Sequence, residues 1–465
     1  MSDPSTICAV ATSPGMGPIA VIRLSGEKAI EITDEIFQSP AKSQRLARQK
    51  ANTLHFGTLC EGPEIIDEVV ISLFRAPHSF TGEDVVEISC HGSVYIQQRI
   101  LQLLLSHGAR MARPGEYTQR AFMNGKMDLS QAEAVADLIA STTRASQKVA
   151  MSQMRGGFSA RLGELRKQLL HFIALVELEL DFSEEDVEFA DRKQLRELVD
   201  RIARVVNRLK DSYQLGNVIK NGIPVAIIGE TNVGKSTLLN ALLNEERAIV
   251  SDIHGTTRDV IEDVINIQGT AFRFFDTAGI RETVDAIESM GIERSFNKLR
   301  EASIVLLVVD TGNPLSLITG RIEKIRRHIN PQQHLVITAN KVDIGSQKTI
   351  CALRDMPLGK SERLVFLSAK NKMHLEELIS VMQHAVALDQ LSEEDTIVTN
   401  ARHYEALCKA SEALQRVQSG MDQLISGEFL AQDIRECLEY LGEITGQISN
   451  DEVLGHIFKH FCIGK

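Results

Sequence analysis

The sequence predicts a multidomain α/β fold: an α/β domain first, then a helical domain interrupted in the chain, with a second α/β domain inserted into it. Three observations carry this. Short β-branched runs punctuated by Gly and Pro occupy the chain to about Glu116, at residues 19–24, 69–74 and 85–89. Apolar residues then recur at helical spacing, as Leu129, Ala132, Val135, Ala136 and Ile139, and again as Leu162, Leu165, Leu169, Phe172, Val176 and Leu180. The periodicity returns from Asn400 onward with Leu430, Ile434, Leu438 and Leu441. Two helical segments therefore flank the insertion, whose ends are expected to lie close together. The acidic stretch 181–188 reads as a solvated loop ending the long helix, and 217–223 as a polar, Gly-flanked link into the insertion.

Composition narrows the class. The chain has 465 residues, 43% hydrophobic and 24% charged, which suits a water-soluble protein of two or three domains. No apolar run is long enough to cross a bilayer, and the polar residues 1–6 do not resemble a signal peptide. A net charge of −11 argues against a broadly basic nucleic-acid surface, although 42–50 holds four basic residues. The seven cysteines are scattered without Cys-x-x-Cys spacing, which points to reduced thiols in a cytoplasm rather than a zinc site.

The insertion carries the chemistry. Gly229-Glu-Thr-Asn-Val-Gly-Lys-Ser236 follows the apolar run 225–228 and precedes helix formers at 238–243. A Gly-rich turn between strand and helix wraps phosphates with backbone N–H groups, and the helix N-terminus adds partial positive charge. Asn232, Val233, Gly234, Lys235, Ser236 and Thr237 are the expected contacts. Lys235 reaches the β- and γ-phosphates, and the Ser236 hydroxyl ligates Mg²⁺. Asp276-Thr277-Ala278-Gly279 follows the strand-like run 271–275, with Asp276 placed to hold Mg²⁺ through water. Asn340-Lys341-Val342-Asp343 follows 335–338, and the Asp343 carboxylate can accept both N–H groups on the Watson–Crick edge of guanine. Ser368-Ala369-Lys370 closes the base site. The expected ligand is GTP.

Two departures bear on hydrolysis. Where many GTPases place a water-orienting Gln, Ile280 follows Gly279, so either hydrolysis is very slow or another group takes over, with Glu282, Asp285 and Glu288 as candidate carboxylates. The amide oxygen of Asn232 can ligate a monovalent cation beside the phosphates, supplying the charge that an arginine finger supplies elsewhere. In Gly255-Thr256-Thr257-Arg258-Asp259, Thr257 is expected to complete the Mg²⁺ shell, with Thr256 nearer the cation.

These motifs resemble the TrmE–Era family of bacterial GTPases. The tail Phe461-Cys462-Ile463-Gly464-Lys465, Arg23, Ser79-Phe80-Thr81-Gly82-Glu83-Asp84 and Arg113-Pro114-Gly115-Glu116 narrow the resemblance to its tRNA-modification branch, along nearly the whole chain. It implies a folate-binding-like domain at 1–118, a discontinuous helical domain at 119–215 and 388–465 with a Cys tail, and an inserted P-loop GTPase domain at 222–387. Further implications are a homodimer and an FAD-dependent partner, MnmG (GidA), in a heterotetramer. The reaction implied is addition of a carboxymethylaminomethyl-type group at C5 of the wobble uridine of certain tRNAs. The one-carbon donor would be 5-formyl- or 5,10-methylene-tetrahydrofolate.

Residue by residue, the resemblance assigns folate contacts to Arg23, Glu87, Lys126 and Lys465, and K⁺ ligation to Asn232, Ser251, Ile253 and Thr256. Ser251 also counts among the GTP contacts. It selects Glu288 as the group orienting water and makes the tail Cys462 necessary for modification. From the residues alone, each folate contact reads first as a surface charge, and Glu87, among Val85, Val86 and Ile88, as solvent-facing. Cys462 reads as a buried structural thiol or as an exposed one whose pKa is lowered by Lys459 or Lys465. The Gly464-Lys465 ending fits prenylation poorly. Glu230, where relatives often carry Arg, is expected to point outward. Asn371 is expected to supply a left-handed turn after Lys370. The competing reading is a GTP-switched ribosomal RNA assembly factor of the Era type, which would carry an RNA-binding module after the GTPase domain. The helical, acidic-leaning segment there favours tRNA modification.

Overall fold

The computed structural model describes residues 5–40, 45–181, 192–245, 263–267, 269–275, 299–385, 396–423, 425–448, 451–459, 461 and 464. The chain divides into two units: residues 1–140, 150–206 and 405–465, and residues 141–149 and 207–404.

The first unit begins with a seven-stranded sheet of β1 (Ile7–Val10), β2 (Ile19–Ser25), β3 (Phe37–Gln38), β4 (Thr53–Glu61), β5 (Glu64–Phe74), β6 (Val85–His91) and β7 (Arg110–Met111), in the order β3-β4-β5-β6-β2-β1-β7. Alternation decides its faces. Along β6, Val86, Ile88 and Cys90 are buried while Glu87 and Ser89 are half-buried, as the period of two demands. Ile22, Leu24, Ile71 and Leu73 join that core, packed with Ile30 and Ile100 from helices Ala29–Ile36 and Val94–Ser106. The antiparallel register of β2 and β6 sets Arg23 directly opposite Glu87.

The long helices of this unit bury the residues that their periodicity picks out, whereas Ile139, near the end of helix Leu129–Ala140, is exposed. Leu162, Leu165, Leu169 and Phe172 are buried along helix Gly157–Asp181, and Leu430, Ile434, Leu438 and Leu441 along helix Gly427–Thr445. The two helices meet at Arg166, whose Nε donates to the Leu438 carbonyl at 3.3 Å. The first ends at Asp181, where the acidic stretch begins, and residues 182–191 lie outside the described residues.

The second unit holds a six-stranded sheet of β8 (Ile223–Ile228), β9 (Asp263–Ile267), β10 (Thr270–Phe275), β11 (Ile304–Asp310), β12 (His334–Asn340) and β13 (Glu362–Phe366), in the order β13-β12-β11-β8-β10-β9. All neighbours are parallel except β9 with β10. β11 and β12 read as near-continuous apolar runs because helices cover both faces of a parallel sheet. Ligands of such sheets bind beyond the carboxyl ends of the strands. Ile228, Asp310 and Asn340 end the three central strands there.

The polar link expected at 217–223 is corrected. Helix Arg192–Asn221 runs through residues 217–221, and Ile223 already opens β8. Ile219 is buried, and Gly216 lies so close to the Val398 carbonyl that a Cβ could not fit. That Gly serves close packing rather than chain punctuation. No helix among the described residues is long and apolar enough to cross a membrane.

Candidate functional site

The phosphate loop leaves β8 and enters helix Lys235–Glu245. Asn232 adopts a left-handed φ of +63° and Gly234 a φ of +102°. A Cβ on Gly234 would collide with the Asn340 side-chain amide, so the tight turn and the neighbouring strand end both require glycine. Lys235 is buried, and its Nζ donates to the carbonyls of Gly229 at 2.6 Å and Glu230 at 2.5 Å. The ammonium therefore sits inside the curve of the loop. Glu230 does not simply point to solvent, since its carboxylate pairs with Arg321 of helix Leu315–Arg326.

Asn340 ties this loop to the far end of the site. Its Nδ2 donates to the Val233 carbonyl at 2.8 Å, and its Oδ1 accepts from the Ala369 N–H at 2.9 Å. Lys341, at φ +64°, donates to the Asn232 carbonyl at 2.8 Å. The Asp343 carboxyl is held below the usual carboxylate range by a hydrogen bond from Ser368, with lesser help from the Asn371 amide and the Lys370 charge. Asn371 donates to Asp343 at 2.9 Å. It is not the left-handed residue of that turn, which Lys372 and His374 are, at φ +53° and +59°. The expected role of Asn371 is thus corrected from turn former to partner of the Asp343 carboxylate.

A cavity of about 660 Å³ runs from Asn232, Lys235, Ser236 and Thr237 to Asp343, Ser368 and Lys370. Its size is that of a small-ligand site. Thr231 and Ile344 also line it. Motif spacing missed both, although each adjoins a residue it found. Gly234→Ala is expected to weaken nucleotide binding at least ~10-fold, because both backbone strain and a clash oppose it. Titration of a fluorescent GDP analogue measures this, and unchanged affinity would contradict the packing.

The first unit brings together another part of the predicted set. Arg23 Nε and Nη2 both bond Glu87 Oε1, at 2.9 and 2.7 Å. The guanidinium lies 5.6 Å from the ring centre of Phe80 and 5.7 Å from that of Tyr117, whose hydroxyl donates to the Arg23 carbonyl at 2.6 Å. Glu87 is therefore not a bare surface charge; its side chain is 26% exposed. Arg23 Nη1 also reaches the carbonyl of the buried Gly464 at 3.5 Å, so the tail is packed at that residue rather than loose. Lys126 donates instead to the Pro77 carbonyl at 2.9 Å. Burial pushes the thiols of Cys8 and Cys90 up to about 11 and that of Cys437 to about 12, which makes these three packing groups. Among the described residues no cluster of three or more His, Cys, Asp or Glu could hold a metal.

Residues 129–462 match the sequence-family model of the MnmE helical domain, and residues 6–126 that of the GTP-binding protein TrmE N-terminus. The tRNA modification GTPase MnmE of Bacteroides thetaiotaomicron is 58% identical over 464 residues, 99% of each chain. That of Flavobacterium johnsoniae is 53% identical over 468 residues, the whole of both chains. The chain belongs to the MnmE family of tRNA modification GTPases. As a member of the MnmE family it has the mixed α/β architecture described, with an N-terminal domain, a helical domain and a P-loop GTPase-like domain. Several residues singled out in the MnmE-family sequence lie outside the described residues: Ser251, Ile253, Thr256, Thr257, Asp276, Thr277, Ala278, Gly279, Glu282, Asp285, Glu288, Cys462 and Lys465.

Proposed function

We propose that this chain is a potassium-dependent GTP hydrolase. With an FAD-dependent partner of the MnmG type, it adds a carboxymethylaminomethyl-type group at C5 of the wobble uridine of certain tRNAs. The observation that carries the GTPase reading is Asn340, which joins the phosphate loop to the base loop across one cavity. Family membership and the curated relatives' names support the tRNA reaction. In this reading the domains run 1–118, 119–215, 222–387 and 388–465, and the protein works in the cytoplasm as a homodimer that forms a heterotetramer with its partner.

Lys235 would neutralise charge at the β- and γ-phosphates, and Asp343 would select guanine. The donor set fits hard cations, because the Asn232 amide oxygen and the Ser236 hydroxyl belong to residues lining the cavity. Ser236 and Thr257 would hold Mg²⁺, with Asp276 acting through water. Asn232, Ser251, Ile253 and Thr256 would hold K⁺. Bound there, the two cations supply positive charge where negative charge grows in the transition state. Glu288 would orient the attacking water, and paired GTPase domains would bring the two switch segments together.

In the first unit, both bonds from Arg23 end on one Glu87 oxygen, which leaves Oε2 to accept from the N–H groups of a tetrahydrofolate pterin. Lys126 and Lys465 would meet the folate's carboxylates, and Cys462 would take part in modification.

The test is hydrolysis in matched K⁺ and Na⁺ buffers across a range of protein concentrations. Turnover should be well above the Na⁺ rate in K⁺ and should rise with concentration, and Asn232→Ala should remove most of the cation difference. Equal wild-type rates in both salts would sink the potassium assignment.

A further inference from the structure

We infer that Asp310 is a positioning residue for the nucleotide site, acting through Lys341 on the backbone of the phosphate loop. This rests on the reading of the cavity as a guanine-nucleotide site. Asp310 is the last residue of β11, a strand otherwise wholly apolar and buried. Its Oδ2 pairs with Lys341 Nζ at 2.6 Å, while the same ammonium donates to the Asn232 carbonyl at 2.8 Å. Asp310 is itself fixed, because its Oδ1 accepts from the Gly312 N–H at 2.8 Å. The neighbouring Thr311 hydroxyl reaches the carbonyls of Asn340 and Lys341 at 3.0 and 3.1 Å. The carboxylate and ammonium side chains are 18% and 32% exposed, so solvent screens the pair only in part.

The consequence follows from where the Lys341 ammonium points. A lysine side chain is long and has many rotamers. Two acceptors on different elements, a carboxylate and a backbone carbonyl, confine it to one. Asn232 sits in a left-handed conformation, which asparagine tolerates better than most residues but which contacts from its surroundings still help to fix. The bond from Lys341 to the Asn232 carbonyl is one such restraint, and Asp310 aims that bond. Without the carboxylate, Lys341 can turn to solvent and the loop loses its anchor next to Gly234 and Lys235. Asp310 does not line the cavity, whereas Lys341 does, so the effect of the carboxylate on nucleotide has to pass through Lys341.

The test is a double-mutant cycle on the full chain, reading the equilibrium Kd for GDP with Asp310→Asn, Lys341→Met and both together. Asp310→Asn should weaken GDP about tenfold, the size of one charge-assisted hydrogen bond. In the Lys341→Met background the same change should have almost no further effect, because the group it acts through is gone. Thermal melting of each variant separates folding from binding, and Asp310→Glu, which keeps the charge, should recover part of the affinity if Asp310→Asn does not fold. Additive effects of the two substitutions, or wild-type GDP affinity in a folded Asp310→Asn, would overturn the inference. Failure of the wild-type chain to bind GDP would instead overturn the nucleotide-site reading beneath it.

Discussion

Asn340→Ala is expected to lower GTP and GDP affinity about a hundredfold and to melt the second unit at a lower temperature. Asn340 is 2% exposed, so neither of its partners has water as a ready substitute. Removing the amide deprives the Val233 carbonyl and the Ala369 N–H of their bonds, at 2.8 and 2.9 Å, at opposite ends of the cavity. Each buried polar group left without a partner costs about 1–3 kcal/mol, and every ~1.4 kcal/mol is tenfold in affinity. The loss falls on both ends of one ligand, because the same side chain holds phosphate loop and base loop in register. Calorimetric titration of GDP with a parallel melting curve reads both effects. Wild-type affinity in the folded variant would show that the two loops are positioned independently of Asn340.

Glu288→Ala should cut the turnover number by ~10²–10⁴, the usual cost of removing a positioned general base or water-orienting group. Ile280 follows Gly279 and cannot orient water, and the proposed function gives that role to a carboxylate further along the chain. Nucleotide affinity, which the proposed function assigns to Lys235, Ser236 and Asp343, should change little. A loss confined to turnover is the signature of a contact made only in the transition state. Single-turnover hydrolysis beside GDP titration separates the two quantities. Hydrolysis near the wild-type rate would move the role to Glu282.

Both sheets were legible where burial imposes a period. The alternation around Glu87 and the apolar runs before Gly229 and Asn340 are direct consequences of one-sided and two-sided burial. The phosphate loop was legible because its chemistry fixes glycine and lysine at set positions. What sequence alone misread depends on partners distant in the chain. Gly216 looked like punctuation, but it is small because Val398 lies against it. Asn371 looked like a turn former, yet its amide is used on Asp343 while Lys372 takes the left-handed position. Glu87 read as a solvent-facing charge because nothing local in residues 85–89 announces Arg23, 64 positions away. Asp310 carried no motif at all, and only the pairing of β11 with β12 places it beside Lys341.

Reconstituted tRNA modification tests the proposed function most directly. The full chain, an FAD-dependent protein of the proposed MnmG type, unmodified tRNA, a one-carbon-loaded tetrahydrofolate, GTP, Mg²⁺ and K⁺ are combined, and the tRNA nucleosides are then separated and weighed. A C5-modified wobble uridine should form with GTP in K⁺ and fall to background with a non-hydrolysable GTP analogue or with Na⁺ in place of K⁺. Equal modification with the analogue would contradict a role for GTP hydrolysis in the reaction, and no modification in the complete mixture, with GTP hydrolysis intact, would contradict the tRNA reaction itself.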